Sequence, residues 1–152
     1  MTTEFERIYD EYSPLLYRLG LLYLGNGAAA EDLTQDCFVK LYERGAEFGG
    51  EGHLKGWLIT VARNLCRNAV KKNARTVPLT YDLPAKPQKT DYALAEIFKL
   101  NASERAAVYL FYYEGYTSKE IAGLTKSTDA AVRSRLKRAR GELRELLTDE
   151  VT

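Results

Sequence analysis

The spacing of apolar side chains is the feature that most narrows the folds open to this chain. Over residues 4–24, apolar residues recur at intervals of three and four, which is the repeat of one face of an α-helix. The same repeat returns over 29–44 and over 54–73, with a glycine-rich loop at 45–52 between them. We therefore predict an all-α fold that begins with three helices, the first of them bent near Pro14.

The apolar positions of these helices also predict the core of the N-terminal part. The expected inward residues are Phe5, Ile8, Tyr9, Tyr12, Leu15, Leu16, Leu19 and Leu22; Leu33, Cys37, Phe38, Leu41 and Tyr42; and Trp57, Leu58, Val61, Ala62, Leu65 and Ala69. Cys37 and Cys66 fall among apolar neighbours, so we interpret both as buried thiols, with redox sensing as the alternative.

The helical repeat fails over residues 74–91, where three prolines fall and no apolar period survives. Proline removes a backbone donor and disfavours helix in the residue before it. We therefore predict an extended linker at 74–91 that joins two small helical domains, 1–73 and 92–152.

Beyond the linker the sequence predicts a helix-turn-helix. A helical stretch at 92–100 is followed by a helix that Ser103 caps and that ends before Gly115. Thr117 and Glu120 match a capping box that opens a short helix. Thr128 or Asp129 then caps a longer helix to about Leu147. Its expected inward residues are Val132, Leu136, Ala139 and Leu143.

Charge is segregated along the chain, although the net charge of +1 by itself argues weakly against a nucleic-acid partner. No acidic residue stands between Glu51 and Asp82, or between Asp129 and Glu142. The cations in these two gaps are Lys55, Arg63, Arg67, Lys71, Lys72 and Arg75, and Arg133, Arg135, Lys137, Arg138 and Arg140. A helix that is only solvated usually mixes both signs for i,i+4 pairing. We therefore interpret both basic helices as polynucleotide-binding surfaces.

The two basic helices present different chemistry. In the third helix Arg63, Arg67 and Lys71 share the face opposite the apolar residues with Asn64, so phosphate-neutralising cations flank an amide that can bond a base edge. The C-terminal helix turns Arg133, Ser134, Lys137 and Arg138 outward, where a recognition helix reads the major groove. The alternatives are a solvated helix face and an ordinary helical hairpin with a basic exterior.

The second helix carries the opposite charge. Asp32, Gln35 and Asp36 form a polar patch beside Tyr42, and a phosphate backbone is repelled by such a patch. The pattern favours a protein surface as the partner, and a solvated acidic face is the alternative.

Four segments, in order along nearly the whole chain, resemble the bacterial sigma-70 family, specifically its extracytoplasmic-function branch (group 4). They are AEDLTQDCF at 30–38, WLITVARN at 57–64, EGYTSKEIA at 114–122 and VRSRLKRAR at 132–140. The chain departs from the family pattern at Thr125-Lys126-Ser127, where Leu-Gly-Ile is usual, at Phe111, where a phosphate-contacting Arg is common, and at Ala131, where Thr is frequent.

The resemblance implies a promoter-specificity subunit that binds core RNA polymerase and promoter DNA and has an anti-sigma factor as a further partner. It implies that the polymerase clamp helices are bound by Asp32, Gln35, Asp36 and Tyr42; that the opened −10 element is read by Phe48, Arg63, Asn64, Arg67 and Lys71; and that the −35 duplex is read by Thr117, Ser118, Arg133, Ser134, Lys137 and Arg138. The C-terminal domain would also contact the polymerase flap, and the linker would run toward the RNA exit path.

The sequence offers no catalytic set. His53, the lone histidine, has no His, Cys or carboxylate cluster at triad or ligand spacing, and the glycines at 49–52 lack a P-loop ending. We expect no enzyme activity, no metal and no cofactor. No membrane span or signal peptide is recognisable, so the cytoplasm is the expected compartment. The remaining alternatives are a stand-alone helix-turn-helix regulator and a sigma-like module that only binds an anti-sigma protein.

Overall fold

The computed structural model describes residues 3–45, 47–73, 97 and 99–151, with side chains described except at 70–73 and 145–151. All regular elements within these ranges are helical, which confirms the all-α fold. They are α1 Glu4–Leu24, α2 Gly27–Arg44, α3 Glu51–Asn73, α4 Ala102–Val108, a π-helical turn Tyr109–Tyr113, α5 Ser118–Leu124 and α6 Asp129–Val151.

The chain divides into two compact units, Met1–Leu79 and Thr80–Thr152. The predicted linker at 74–91 lies outside the described residues, and so does most of the predicted helical stretch at 92–100. The domain boundaries at 73 and 92 therefore stay predictions.

Local signals explain where the first two helices begin and end. The Thr3 hydroxyl accepts the Glu6 N–H at 3.1 Å and caps α1, while Gly25 ends that helix with a left-handed φ of +69°. The Asn26 side chain then accepts the Ala29 N–H at 3.0 Å. Because Asn26 is the cap, α2 starts at Gly27 and not at Ala29 as predicted.

Helices α1 and α2 pack closely at Gly20. A Cβ at this position would lie 2.7 Å from Cδ2 of Leu33 and 3.1 Å from Cα of Ala30. Pro14 lies within α1, which nevertheless runs unbroken from Glu4 to Leu24. The buried hydrophobic side chains contributed by the two helices are Ile8, Tyr12, Leu15, Leu16, Leu19 and Leu22, and Ala30, Leu33, Cys37, Phe38 and Leu41.

Helix α3 starts at Glu51, three residues before the predicted start, because that residue is held in place from α1. Tyr12 donates its hydroxyl proton to Glu51 Oε2 at 2.6 Å, and Arg7 Nη2 lies 2.8 Å from Oε1. These bonds, from Tyr12 first and then Arg7, lower the pKa of the Glu51 carboxyl. An acid in the first turn also suits the helix dipole.

The buried stripe of α3 is rotated from the predicted one. It consists of Leu54, Leu58, Ile59, Ala62 and Cys66, whereas Trp57, Val61, Leu65 and Ala69 are only half-buried. The prediction that these four face the core was therefore wrong in part. The α1–α2 pair contacts a stripe centred nearer Ile59 and Cys66, and an ideal wheel does not show which edge of a wide apolar face the partner helices cover.

The second unit begins with a different cap from the one predicted. Asn101, not Ser103, caps α4, since its Oδ1 accepts the Glu104 N–H at 2.9 Å and its Nδ2 donates to Glu104 Oε1 at 2.7 Å. The helix then widens into the π-helical turn, where the Glu114 N–H reaches the Tyr109 carbonyl at 3.1 Å. Gly115, with φ of +78°, ends the segment as predicted.

The helix-turn-helix has the predicted capping box, with the Thr117 hydroxyl accepting the Glu120 N–H and Glu120 Oε1 accepting the Thr117 N–H. Helix α5 ends with Lys126 in a left-handed conformation, φ +51°. Thr128 caps α6 by accepting the Ala131 N–H at 3.1 Å. The predicted inward residues Val132, Leu136 and Ala139 are buried, and Leu143 is half-buried.

Candidate nucleic-acid and protein interface

The acidic patch of α2 lies on one exposed face of the helix. Asp32, Gln35 and Asp36 are all exposed, and Gln35 Nε2 donates to the Tyr9 hydroxyl of α1 at 3.1 Å. Tyr42 is 79% exposed. The prediction that Tyr42 faces inward was therefore wrong, and its position beside the acidic patch stays a prediction.

Two apolar side chains extend this face and were not selected from the sequence. Val39 is 55% exposed and Phe5 is 37% exposed. The Phe5 ring lies edge-on to Phe38 at 6.1 Å and to Tyr42 at 6.2 Å. The exposure of Val39 could have been predicted from its position four residues after Gln35, on the same face of the helix. Phe5 was predicted in the core. We call Phe5, Val39 and Tyr42 the apolar strip.

Arg63 and Arg67, whose side chains the structure describes, lie one turn apart along α3. Arg63 and Asn64 are half-buried, and Arg67 is exposed. Arg63 Nη1 donates to Asn64 Oδ1 at 3.2 Å, a bond that uses one of the two lone pairs of the amide oxygen. Lys71 lies within α3, but its side chain is outside the described part of the structure.

Phe48 lies near the N-terminal half of α3. Its ring centroid is 5.7 Å from that of Trp57 and 5.2 Å from that of His53. From Trp57 to Arg67 the helix rises about 15 Å, so Phe48 and the cations form an extended track. Arg44 and His53 both contact the Phe48 ring. These contacts were not predicted, because they depend on the position that the loop between α2 and α3 takes in the folded protein.

In the second unit Asp129 links α5 to α6. Its Oδ1 accepts the Ser118 hydroxyl at 2.5 Å, and its Oδ2 lies 3.6 Å from Arg133 Nε. Arg135 Nη1 donates to Ser127 Oγ at 2.9 Å. The outward residues Arg133, Ser134, Lys137 and Arg138 are all exposed on α6, as predicted. Thr117 is exposed at the start of α5.

Two buried ionisable groups of the first unit are the thiols of Cys37 and Cys66. Burial raises the pKa of the Cys37 thiol to about 12 and also raises the pKa of the Cys66 thiol. Both cysteines are free and buried, as predicted. In the residues that the structure covers, no three His, Cys, Asp or Glu side chains are grouped so as to hold a metal ion. Nor does any helix there have the length and apolar character needed to cross a bilayer.

Models of known protein families match residues in both units. The family model described as sigma-70 region 2 matches residues 8–76, and the model described as sigma-70, region 4 matches residues 92–143.

Curated relatives carry the same family description. The chain is 29% identical over 161 residues to the ECF RNA polymerase sigma factor BldN of Streptomyces coelicolor, covering 96% of this chain and 61% of that protein. It is 28% identical over 142 residues to the ECF RNA polymerase sigma factor SigL of Mycobacterium tuberculosis, covering 85% of this chain and 80% of the relative. The chain thus spans less than two thirds of the first relative.

Solved structures share the fold. The sigma factor RpoE of Bartonella quintana, crystallised with the anti-sigma factor NepR, superposes with a TM-score of 0.80 at 24% identity, covering 95% of this chain and 97% of that one. CnrH, crystallised with the cytosolic domain of CnrY, gives a TM-score of 0.68 at 20% identity, covering 95% of this chain and 88% of that one. With both region models matched in order, this chain belongs to the sigma-70 family, in its extracytoplasmic-function (ECF) branch.

Proposed function

We propose that this chain binds core RNA polymerase in the cytoplasm and directs promoter-specific initiation. The observation that carries the proposal is the separation of three surfaces. The acidic face of α2 lies in the first unit with the basic track of α3, and the basic face of α6 lies in the second unit. Binding a single ligand does not require an acidic face on one helix and a basic face on another. A subunit that binds a protein through one surface and DNA through another requires both.

The first unit, proposed as residues 1–73, would dock on the clamp helices and read the opened −10 element. Asp32, Gln35, Asp36 and Tyr42 would contact the polymerase, and the apolar strip beside them adds the buried area that a stable protein contact needs. Phe48, Arg63, Asn64, Arg67 and Lys71 would hold the separated strand. Cations along a helix with an aromatic ring at one end suit single-stranded DNA, because the cations bind the phosphates and the ring stacks on a base.

The second unit, proposed as residues 92–152 after a linker at 74–91, would read the −35 duplex and contact the polymerase flap. Thr117, Ser118, Arg133, Ser134, Lys137 and Arg138 are the proposed DNA contacts. Asp129 orients Ser118 and Arg133 from opposite oxygens. We propose an anti-sigma factor as a further partner, since the sigma factor RpoE of Bartonella quintana, which has the same fold, was crystallised with the anti-sigma factor NepR.

The decisive experiment is run-off transcription. Purified chain and core polymerase are incubated with fragmented genomic DNA, and sequencing of the transcripts locates start sites and their upstream elements. We expect initiation at a defined set of sites, and loss of that initiation when Asp32→Ala and Gln35→Ala are combined. Asp10→Ala removes an exposed acid from α1 and is the matched control.

Run-off transcription, with a duplex-binding assay in the absence of polymerase, separates the alternatives. A stand-alone regulator would bind duplex DNA specifically without polymerase and would be unaffected by the α2 changes. A module that only binds an anti-sigma protein would give no promoter-dependent transcript. Replacing Lys137 with Ala should weaken −35 duplex binding and reduce the slope of log affinity against log salt by about one, as expected for one phosphate contact.

A further inference from the structure

The loop between α2 and α3 carries Phe48 and is rich in glycine. Gly45 and Gly50 have φ values of +90° and +139°, and a third glycine directly follows Phe48. Glycine leaves the backbone many conformations of similar energy. The position of the Phe48 ring must therefore be set by side chains that reach the loop from the helices.

Arg44, the last residue of α2, holds the loop on one side. Its Nη1 donates to the Glu47 carbonyl at 3.0 Å and lies 3.4 Å from the Gly45 carbonyl. The guanidinium carbon lies 3.9 Å from the Phe48 ring centroid and 5.3 Å from that of Trp57. A planar guanidinium stacks on an aromatic face and donates hydrogen bonds from its rim at the same time. Arg44 therefore fixes both the ring of Phe48 and the carbonyl just before it.

His53, in the first turn of α3, holds the loop on the other side. Its Nδ1 accepts the Gly49 N–H at 2.9 Å, and its ring lies edge-on to Phe48 with an interplanar angle of 82°. An imidazole nitrogen accepts a hydrogen bond only when it carries no proton. The peptide groups on both sides of Phe48 are thus held, one by each helix.

We infer that Arg44 and His53 are positioning residues, which hold Phe48 where it contacts an unpaired base of the opened −10 strand. The inference rests on the function proposed above and adds to it two residues that need not touch DNA. A base stacks on an aromatic ring only if the ring already faces it, and an unrestrained glycine-rich loop would spread the ring over many orientations. Holding the loop therefore raises the fraction of protein ready to accept the base.

The test measures promoter opening by the full chain with core polymerase. The probe is a promoter identified by run-off transcription, with 2-aminopurine in the non-template strand of its −10 element, so that unstacking of the base raises fluorescence. His53→Ala should lower the yield of opened promoter about three- to tenfold, the effect of one lost hydrogen bond, without changing binding to core polymerase. His53→Asn places an amide oxygen close to the Nδ1 position and should restore opening.

Coupling to Phe48 distinguishes positioning from general stability. In a Phe48→Ala background, His53→Ala should cause no further loss, because the ring that it positions is gone. Arg44→Lys keeps the charge but not the planar stack and should behave like His53→Ala. Lys40→Ala removes an exposed cation one turn earlier on α2 and should leave opening unchanged.

Three results would overturn the inference while the proposed function stands. The first is normal promoter opening by both His53→Ala and Arg44→Lys. The second is a full additional loss of opening when His53→Ala is added to Phe48→Ala. The third is that His53→Asn fails to restore opening although its circular dichroism matches that of the unmodified protein. Failure of the unmodified chain to initiate with core polymerase rejects the proposed function itself, and the inference with it.

Discussion

Lys126 occupies the turn of the helix-turn-helix in a conformation that costs free energy. Its φ is +51°, and the Ser127 N–H reaches back to the Ala122 carbonyl at 2.8 Å, the closing bond of a Schellman motif. For an L-residue with a Cβ the left-handed conformation costs about 1–2 kcal/mol. Glycine avoids that cost but loses roughly 0.5–1 kcal/mol more chain entropy on folding. We therefore expect Lys126→Gly to raise the free energy of unfolding of the second unit by about 0.5–1 kcal/mol.

Thermal and urea unfolding of the full chain, followed by far-ultraviolet circular dichroism, measure this change. A gain of that size raises the midpoint temperature of a unit of this length by roughly 2–8 °C. Trp57 is the sole tryptophan and belongs to the first unit. Its fluorescence therefore reports that unit and serves as the internal reference in the same sample.

Two matched variants isolate the backbone effect. Lys126→Ala removes the charge but keeps the Cβ, so its stability should stay within about 0.5 kcal/mol of the unmodified protein. Lys119→Gly makes the same exchange in the first turn of α5, where no left-handed residue is needed, and should destabilise by less than about 1 kcal/mol. Equal stability of Lys126→Gly and Lys126→Ala would refute the argument that the left-handed conformation is the cause.

Three further outcomes follow from the buried groups and the caps. Glu104 is 2% exposed, and its pKa is raised by burial first and then by the charge of Glu142. The second unit should therefore lose stability as the pH rises through that pKa. Urea unfolding of Glu104→Gln, measured across the same pH range, should show no such loss. Cys37 and Cys66 should resist iodoacetamide at neutral pH until urea unfolds the chain, and mass spectrometry showing alkylation of the native protein would contradict their burial. Asn26→Ala should lower the stability of the first unit by about 1 kcal/mol in urea unfolding, and Asn26→Ser should restore most of it.

Local interactions explain which parts of the fold could be predicted. Helical repeats located α1, α2 and α3, and the Thr117 capping box located α5, because each signal lies within a few residues of the element that it defines. The start of α3 was missed by three residues, since it is stabilised by Arg7 and Tyr12 from a helix far away in sequence. The prediction that Ser103 caps α4 was wrong, because Ser and Asn both cap helices well and only the folded backbone decides that Asn101 does so.

Some residues of the candidate site could be predicted from the sequence and others could not. The exposed positions of Asp32, Gln35 and Asp36 follow from the helical repeat of α2, which turns its apolar residues inward. Phe5, by contrast, was predicted in the core from the helical repeat but is 37% exposed in the folded protein, which the repeat of a single helix does not reveal.

The sequence by itself determined the helical class and the separation of the two charge signs, since both follow from the order of residues along each helix. Only the tertiary structure decided which edge of α3 is buried, that Tyr42 points outward, and that Arg44 and His53 enclose Phe48. Those arrangements depend on contacts between residues distant along the chain, where packing and hydrogen bonding outweigh local preference.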